Sequence, residues 1–473
     1  MKKHIHFIGV KGVGMAPLAI IAKEAGYTVS GCDIDQEFIT DTTLKKSDIT
    51  PSIGFSTEHL TDVDMVITTG AHGGFDNPEV KEAKNRGLSV LTQGEAVGLF
   101  MDGGILHKKG LIGVSVAGTH GKTTTTAMIA TILKYCGADP SFIVGTSDIP
   151  SLGNAGHFGR GKYFVAEADE YATEPVYDKK PKFLWQHPKI ALITNIELDH
   201  PDVYESVDEM REAFLKYAEN VPTDGILIVC GDDLQVQKLL RSYNKRSITY
   251  GFSPKNDCVI TRVRISGTQM FFWIEAFGTD MGEFVLKVTG EHNALNAAAS
   301  IMVALELGMP IEKIKKAFLE FIGTKRRLEY VGALATGASV YDDYAHHPTE
   351  IKKTLLALRQ MYPKKHIVSI FQPHTYSRTK KLFSEFVSAF DVADTAIIND
   401  IFPSLREQPD PTISSHALVQ AMSPLHKDVL YLKTKGDVVE YIEQKRFRDN
   451  TIIVIMGAGD VYKIIRELDL VHE

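Results

Sequence analysis

The chain has 473 residues, room for two to four domains, and its 44% hydrophobic and 23% charged content is that of an ordinary soluble globular protein. A formal net charge of -7 argues against a dedicated nucleic-acid binder, and the four scattered cysteines (Cys32, Cys136, Cys230, Cys258), with no CxxC pair or metal-ligand spacing, read as reduced cytoplasmic thiols. No apolar run is long enough to span a bilayer, and the apolar stretch after Met1-Lys2-Lys3 is broken by Lys11 with no cleavage site behind it, so neither a membrane nor a secretion signal is expected.

Residues 1–105 alternate short apolar strands with helices. His4 to Ile8, Thr28 to Ser30, Met65 to Thr68 and Ser89 to Leu91 read as strands, and Met15 to Ala25 as a helix. Such alternation predicts a parallel, doubly wound α/β sheet. Gly9-Val-Lys-Gly12-Val-Gly14 falls at the first strand-to-helix turn, where glycines let a backbone approach a diphosphate at a helix N-terminus. Asp33, at the end of the second strand, is a candidate for a ribose or base. The order GxxGxG departs from the dinucleotide fingerprint GxGxxG, so this turn by itself leaves a nicotinamide-dependent oxidoreductase open.

A second unit, residues 106–322, follows the linker-like His107-Lys-Lys-Gly110. The strand Leu111 to Val116 runs into Gly118-Thr119-His120-Gly121-Lys122-Thr123-Thr124, and a helical pattern leaves it. Backbone N–H groups and the helix dipole suit phosphates there, with Lys122 supplying charge and Thr123 a hydroxyl for Mg²⁺. The glycines are closer together than in a full P-loop, so the motif is a shortened relative of it. Glu167-Ala-Asp-Glu-Tyr171 follows the strand Tyr163 to Ala166, where carboxylates could hold Mg²⁺ opposite the phosphate loop or simply form a solvated acidic turn. His200 stands between Asp199 and Asp202 after the strand Ile190 to Thr194, a candidate for a second Mg²⁺ site. A β-rich section spans Ser247 to Val288. A helix from Asn293 then puts Asn293 and Asn296 on one face, able to contact a base or sugar.

The third unit, residues 323–473, begins at Lys325-Arg326-Arg327 and alternates again. Ser339 to Tyr341, Ile367 to Phe371, Thr395 to Ile398 and Thr451 to Met456 read as strands, with helices at Glu350 to Met361 and Thr379 to Phe390. Asp343-Tyr344-Ala-His346-His347 ends a strand with a density of ionisable groups that fits a ligand-facing loop. Zinc is the rival reading of the His-His pair, but adjacent histidines point poorly at one metal and no thiolate accompanies them.

Taken together, the N-terminal glycine turn, Gly118-Thr-His-Gly-Lys-Thr, His292-Asn-Ala-Leu-Asn, Tyr341-Asp-Asp-Tyr-Ala-His-His-Pro-Thr-Glu, Phe371-Gln-Pro-His-Thr-Tyr-Ser-Arg and Met456-Gly-Ala-Gly-Asp460 resemble the Mur ligases. These are ATP-dependent amide-forming enzymes of peptidoglycan synthesis. The resemblance implies three α/β domains: a Rossmann-like domain for a UDP-sugar, a P-loop-type domain for ATP, and a Rossmann-like closing domain for the amino substrate. It assigns the UDP part to Gly9, Gly12, Gly14 and Asp33. ATP and Mg²⁺ would meet the 118–124 loop, with Lys122 on the phosphates and Thr123, Glu167 and His200 holding metal. Asn293 and Asn296 would contact adenosine, and Arg327 and Asp343 would reach the nucleotide across the domain boundary. Tyr344, His346 and Arg378 would surround the amine. Within the family the chain resembles the branch that joins L-alanine to UDP-N-acetylmuramate. The runner-up branch attaches L-alanyl-γ-D-glutamyl-meso-diaminopimelate to the same UDP-sugar. The lack of an apolar span or signal leads to the expectation of a cytoplasmic protein, a monomer or homodimer. Three positions depart from the pattern. Phe214 stands near where many Mur ligases carry a carbamylated lysine, Thr375 where the L-alanine branch often has arginine, and Tyr171 where that branch has serine.

Overall fold

The computed structural model describes residues 3–403 and 407–471. Among them three main sheets follow one another along the chain. The first has the order Ser52–Ile53, Thr28–Asp33, His4–Ile8, Met65–Thr68, Ser89–Thr92, all parallel. His4–Ile8 sits at its centre, so the glycine turn that follows it opens at the middle of the sheet's carboxyl edge, where doubly wound sheets bind ligands.

The second sheet runs Thr279–Leu286, Gln269–Ala276, Cys258–Ser266, Ser247–Gly251, Ile226–Cys230, Ile190–Ile193, Ile112–Ala117, Tyr163–Glu167, Ser141–Ile143, Gly156–His157. Its central strands are parallel and buried on both faces, hence their continuous Ile, Val, Leu and Ala. The strands from Cys258 to Leu286 pair antiparallel, and their burial alternates as one wetted face requires. Lys122–Tyr135 and Glu291–Glu306 pack against each other over this sheet. Ala294, Ala297 and Ala298 are small enough to admit the close approach that carries Asn296 beside the phosphate loop. Phe214 lies fully buried in the helix Val207–Glu219, edge-on to Phe183 at a centroid distance of 5.1 Å. An aromatic core therefore stands at the position weighed for a lysine carbamate.

The third sheet has the order Val429–Tyr431, Thr395–Ile398, His366–Phe371, Thr451–Met456, Ser339–Asp343, Glu329–Leu334, Leu470–Val471, parallel through Ser339–Asp343 and antiparallel beyond it. One expected helix differs. Thr379 to Phe390 is instead two pieces, Tyr376–Lys381 and Phe383–Val387, interrupted at Leu382 (φ -107°, ψ 25°). The interruption lets Phe386 and Phe390 both meet Phe371, at 5.6 and 5.5 Å. Core packing here overrides helical continuity.

Candidate active site

The phosphate loop joins the strand Ile112–Ala117 to the helix Lys122–Tyr135. Gly118 (φ +131°) and Gly121 (φ +82°) adopt backbone conformations that side chains disfavour, and each also lacks room. A Cβ on Gly118 would lie 2.0 Å from Thr194 Oγ1, and one on Gly121 2.5 Å from Asn296 Oδ1. The loop is fastened from the end of the neighbouring strand. Asn195 accepts from His120 N (2.9 Å) and donates to His120 O (3.0 Å), while Thr194 Oγ1 donates to the same carbonyl (2.6 Å). Thr119 and Glu197 exchange two further bonds.

Lys122 Nζ folds back to donate to Gly118 O (2.6 Å), Thr119 O (3.1 Å) and Glu170 Oε1 (3.0 Å). Burial lowers its pKa, but the charges of Glu170, Asp169 and Glu167 outweigh burial and raise it, so it is a fixed cation. Glu167 accepts from Thr123 Oγ1 (3.0 Å) and from Gly145 N (2.8 Å). Ligand atoms of Asp169, Glu170 and His200 lie within 4.8 Å of one another. Glu170 Oε2 is buried without a hydrogen-bond partner, although the Lys122 ammonium is 2.8 Å away as a charge contact. Burial raises the Glu170 carboxyl in spite of that lysine. Two oxygen-rich sets flanking a phosphate loop, one with an orphaned buried carboxylate oxygen, fit Mg²⁺. Tyr171 steadies the second set: its ring meets His200 edge-on at 4.9 Å and its hydroxyl donates to Asp202 (2.7 Å).

Beside the loop is a cleft lined by Thr123, Asn293, Asn296, Arg327, Asp343 and Lys353 among others. Asn296 donates to Asn293 Oδ1 (3.1 Å) and Asn293 to Thr289 O (2.8 Å), so the pair is pre-oriented as one polar patch. The third domain closes the cleft. Arg327 reaches Thr123 Oγ1 (3.5 Å) and comes within 3.7 Å of Glu350. The linker carrying it is strained, with Arg326 (φ +59°) and Leu328 (φ +48°) left-handed, and it is tied down by Asp343, which accepts from Leu328 N (2.6 Å) and Ala345 N (2.7 Å). Burial, opposed by Arg327, pushes the Asp343 carboxyl up to about 6. His120 bridges the two domains between Glu197 (3.3 Å) and Glu350 (3.2 Å). Burial disfavours its charge, yet the two carboxylates raise it to about 9.

Tyr344 stacks beneath the Arg327 guanidinium (5.1 Å) and meets His346 edge-on. His346 Nδ1 lies 3.0 Å from Tyr344 O, which can only accept, so Nδ1 carries the proton and Nε2 keeps its lone pair. Burial lowers this imidazole to about 4, leaving it neutral at pH 7. Arg378 is paired across the domain boundary. It is 4% exposed and pairs with Asp199 Oδ1 through Nε and a terminal nitrogen, both at 2.8 Å. Thr375 (φ +70°) caps the short helix that presents Arg378.

The glycine turn of the first domain is apart from this cleft. Gly9 (φ +76°) and Val10 donate to Cys32 O, and Asp33 accepts from Lys11 N and Ile34 N (both 2.8 Å). Asp33 thus shapes the turn from beneath, 1% exposed. Gly12 N donates to Gly9 O, and Gln93 reaches Gly14 O. The adjoining loop touches the central domain, where Gly70 and Gly74 pack on Glu174 and Pro175.

Sequence reading missed the clamp residues Thr194 and Asn195, the lysine partner role of Glu170, and the acids Glu197 and Glu350 that hold His120. Strand-end position signals Thr194 and Asn195. Glu350 closes the motif that begins at Tyr341, but its pairing with His120 exists only across the domain boundary.

Three family models match the chain in order: "Mur ligase family, catalytic domain" over residues 4–104, "Mur ligase middle domain" over 116–304, and "Mur ligase, glutamate ligase domain" over 326–459. The UDP-N-acetylmuramate–L-alanine ligase of Desulfitobacterium hafniense (strain Y51) is 38% identical over 469 residues, covering 99% of this chain and 100% of that relative. Among solved structures, the UDP-N-acetylmuramate-alanine ligase MurC from Thermotoga maritima superposes with a TM-score of 0.80 at 28% identity, over 98% of this chain and 97% of its own. A murein peptide ligase from Psychrobacter arcticus superposes at 0.70 with 23% identity over the full length of both, a likeness of fold alone. The order of the three matched domains and the full-length identity show that this chain belongs to the Mur ligase family.

Proposed function

We propose that the chain joins L-alanine to the carboxylate of UDP-N-acetylmuramate, converting ATP to ADP and phosphate, in the cytoplasmic phase of peptidoglycan precursor synthesis. The observation that carries the reading is one cleft lined by Thr123, Asn293 and Asn296 from the central domain and by Arg327, Asp343 and Glu350 from the third, with Lys122 and Glu170 paired in the loop beside it and Tyr344 under Arg327. The choice of L-alanine is supported by the identity, over the whole chain, with relatives named for that substrate.

A carboxylate is a poor electrophile, so the γ-phosphoryl group of ATP must first pass to a carboxylate oxygen, giving an acyl phosphate and ADP. The amine then attacks the acyl carbon, the C–O bond to phosphate breaks to release inorganic phosphate, and the attacking nitrogen gives up one proton, leaving the amide. Lys122 sits where it can leave Glu170 for the β- and γ-phosphates, and Arg327 enters from the closing domain to neutralise the same charge. Mg²⁺, held by Thr123 and Glu167 and by the Asp169, Glu170 and His200 set, would supply further neutralisation of the transferring group. Closure by Glu350, His120 and Arg378 excludes water from the acyl phosphate. The bare Nε2 of His346 can accept a hydrogen bond from the incoming amine.

Free L-alanine is therefore expected to be used with a higher kcat/KM than L-alanyl-γ-D-glutamyl-meso-diaminopimelate when UDP-N-acetylmuramate and Mg²⁺-ATP are saturating. A pocket for one methyl group excludes a tripeptide by clash, a stronger discrimination than a lost contact. Release of ADP with each amine reads the preference, and a higher value for the tripeptide overturns the assignment while leaving the ATP chemistry intact.

Glu167→Gln and His200→Ala should each raise the Mg²⁺ concentration needed for half-maximal rate and lower the maximal rate, by about 10–100-fold in either quantity. Magnesium titration of ADP release measures this. Wild-type magnesium dependence in both variants would return the two residues to a structural role.

A further inference from the structure

The first domain contains a second constellation, which the ligation chemistry does not use. Strand His4–Ile8 supplies His6, strand Thr28–Asp33 supplies Cys32, the short turn Thr57–Leu60 supplies His59, and the first turn of helix Pro78–Asn85 supplies Glu79. Their ligand atoms all lie within 4.8 Å of one another. Glu79 is the hub. Its Oε2 is 3.0 Å from His6 Nε2 and 3.2 Å from Cys32 Sγ, and its Oε1 is 2.8 Å from His59 Nδ1. Glu79 is 0% exposed and His6 1%, beside an apolar cluster of Ile8, Leu60, Val63, Val66 and Val80. The spacing along the chain conceals this set, because cysteine and histidines arrive from separate elements.

The geometry points to a structural zinc site built from His6 Nε2, Cys32 Sγ, His59 Nδ1 and a Glu79 carboxylate oxygen. Three observations support it. Tetrahedral zinc with bonds of about 2.0–2.3 Å holds its ligand atoms about 3.3–3.8 Å apart, and the three contacts of Glu79, at 2.8 to 3.2 Å, need to open by only a few tenths of an ångström, with the remaining ligand atoms already within 4.8 Å. The other nitrogen of His6 is already anchored: Nδ1 lies 2.8 Å from Ser30 Oγ, which is itself 2.7 Å from His4 Nε2. Such outer bonding fixes the tautomer of a metal-binding imidazole. Charge balance is the third. A thiolate, a carboxylate and two neutral imidazoles with Zn²⁺ sum to zero, and Ser56 N, donating to Glu79 Oε1 (2.7 Å), orients the carboxylate from outside the set. On binding, the Cys32 thiol proton and any imidazole proton pass to solvent, with no change of oxidation state. The ion would brace the end of the strand from which the glycine turn hangs, since Cys32 O receives both Gly9 N (2.9 Å) and Val10 N (3.2 Å).

The test uses the full-length protein, stripped with a chelator and titrated with Co²⁺ as a spectroscopic stand-in and then with Zn²⁺. The carboxylate and imidazole sites near the phosphate loop contain no cysteine, so a thiolate-to-cobalt charge-transfer band reports this site alone. The band should grow to one equivalent, vanish on adding zinc, be lost in Cys32→Ser and persist in Cys136→Ser. Zinc should also raise the melting temperature of the wild type but not of Cys32→Ser. Should Cys32→Ser fail to fold, His59→Ala, whose side chain is 21% exposed, must weaken zinc binding at least about tenfold. No charge-transfer band in the wild type, a band that survives Cys32→Ser, or unchanged zinc affinity in His59→Ala would identify the set as a hydrogen-bonded network only.

Discussion

Lys122→Ala is expected to lower kcat at least about 1,000-fold while leaving UDP-N-acetylmuramate affinity within a few-fold of wild type. The ammonium donates to two carbonyls of the phosphate loop and to Glu170, which fix its position. The glycine turn proposed for the UDP part belongs to a different sheet, whose bonds run to Cys32, Asp33 and Gln93 and not to the loop. Calorimetry of the folded variant with UDP-N-acetylmuramate, beside single-turnover ADP release, separates the two quantities. Loss of both together would show that the sugar nucleotide and ATP do not occupy distinct sites.

Arg378→Ala is expected to destabilise the closed form by about 3–5 kcal/mol, because it leaves Asp199 as a buried charge without its partner. Asp199 is 3% exposed, and after burial the Arg378 guanidinium is the strongest influence on its carboxyl, holding it well below the usual carboxylate range. A depressed folded-state pKa means that this contribution is present above about pH 4, the ordinary aspartate value, and is lost as pH falls through the lower folded value. Urea denaturation of Arg378→Ala, of Asp199→Asn and of the double variant gives the coupling. The double variant should recover much of the loss, and the single variant should lose the acid-side dependence. Wild-type stability accompanied by a raised KM for L-alanine would instead make Arg378 a direct substrate ligand.

The elements legible in the sequence were those whose signal is local. The alternation of apolar strands with helices was readable because parallel strands are apolar on both faces, and the phosphate loop because its glycines and Lys122 are contiguous. Asn293 and Asn296 were found by helical spacing and do share a face. What escaped reading depends on residues distant in the chain. Nothing in the sequence announces that Arg378 pairs with Asp199, 179 positions away. The break at Leu382 carries no glycine or proline to announce it, since its cause is the packing of Phe386 and Phe390 on Phe371. The zinc-like set in the first domain was invisible for the same reason: Cys32 looked solitary until the sheet placed it beside His6.

Two of the pairs that fasten the third domain onto the second are made by atoms at the phosphate loop itself. His120 belongs to the loop and bonds Glu350, and Arg327 bonds the hydroxyl of Thr123. A nucleotide entering the cleft would therefore alter the same contacts that hold the domains together. Occupancy and domain position become two ligation equilibria sharing one thermodynamic square, and the factor by which closing tightens nucleotide binding must equal the factor by which nucleotide favours closing. Product escape then inherits the strength of the His120 and Arg327 contacts: whatever they add to the grip on ATP, they subtract from the ease with which ADP departs.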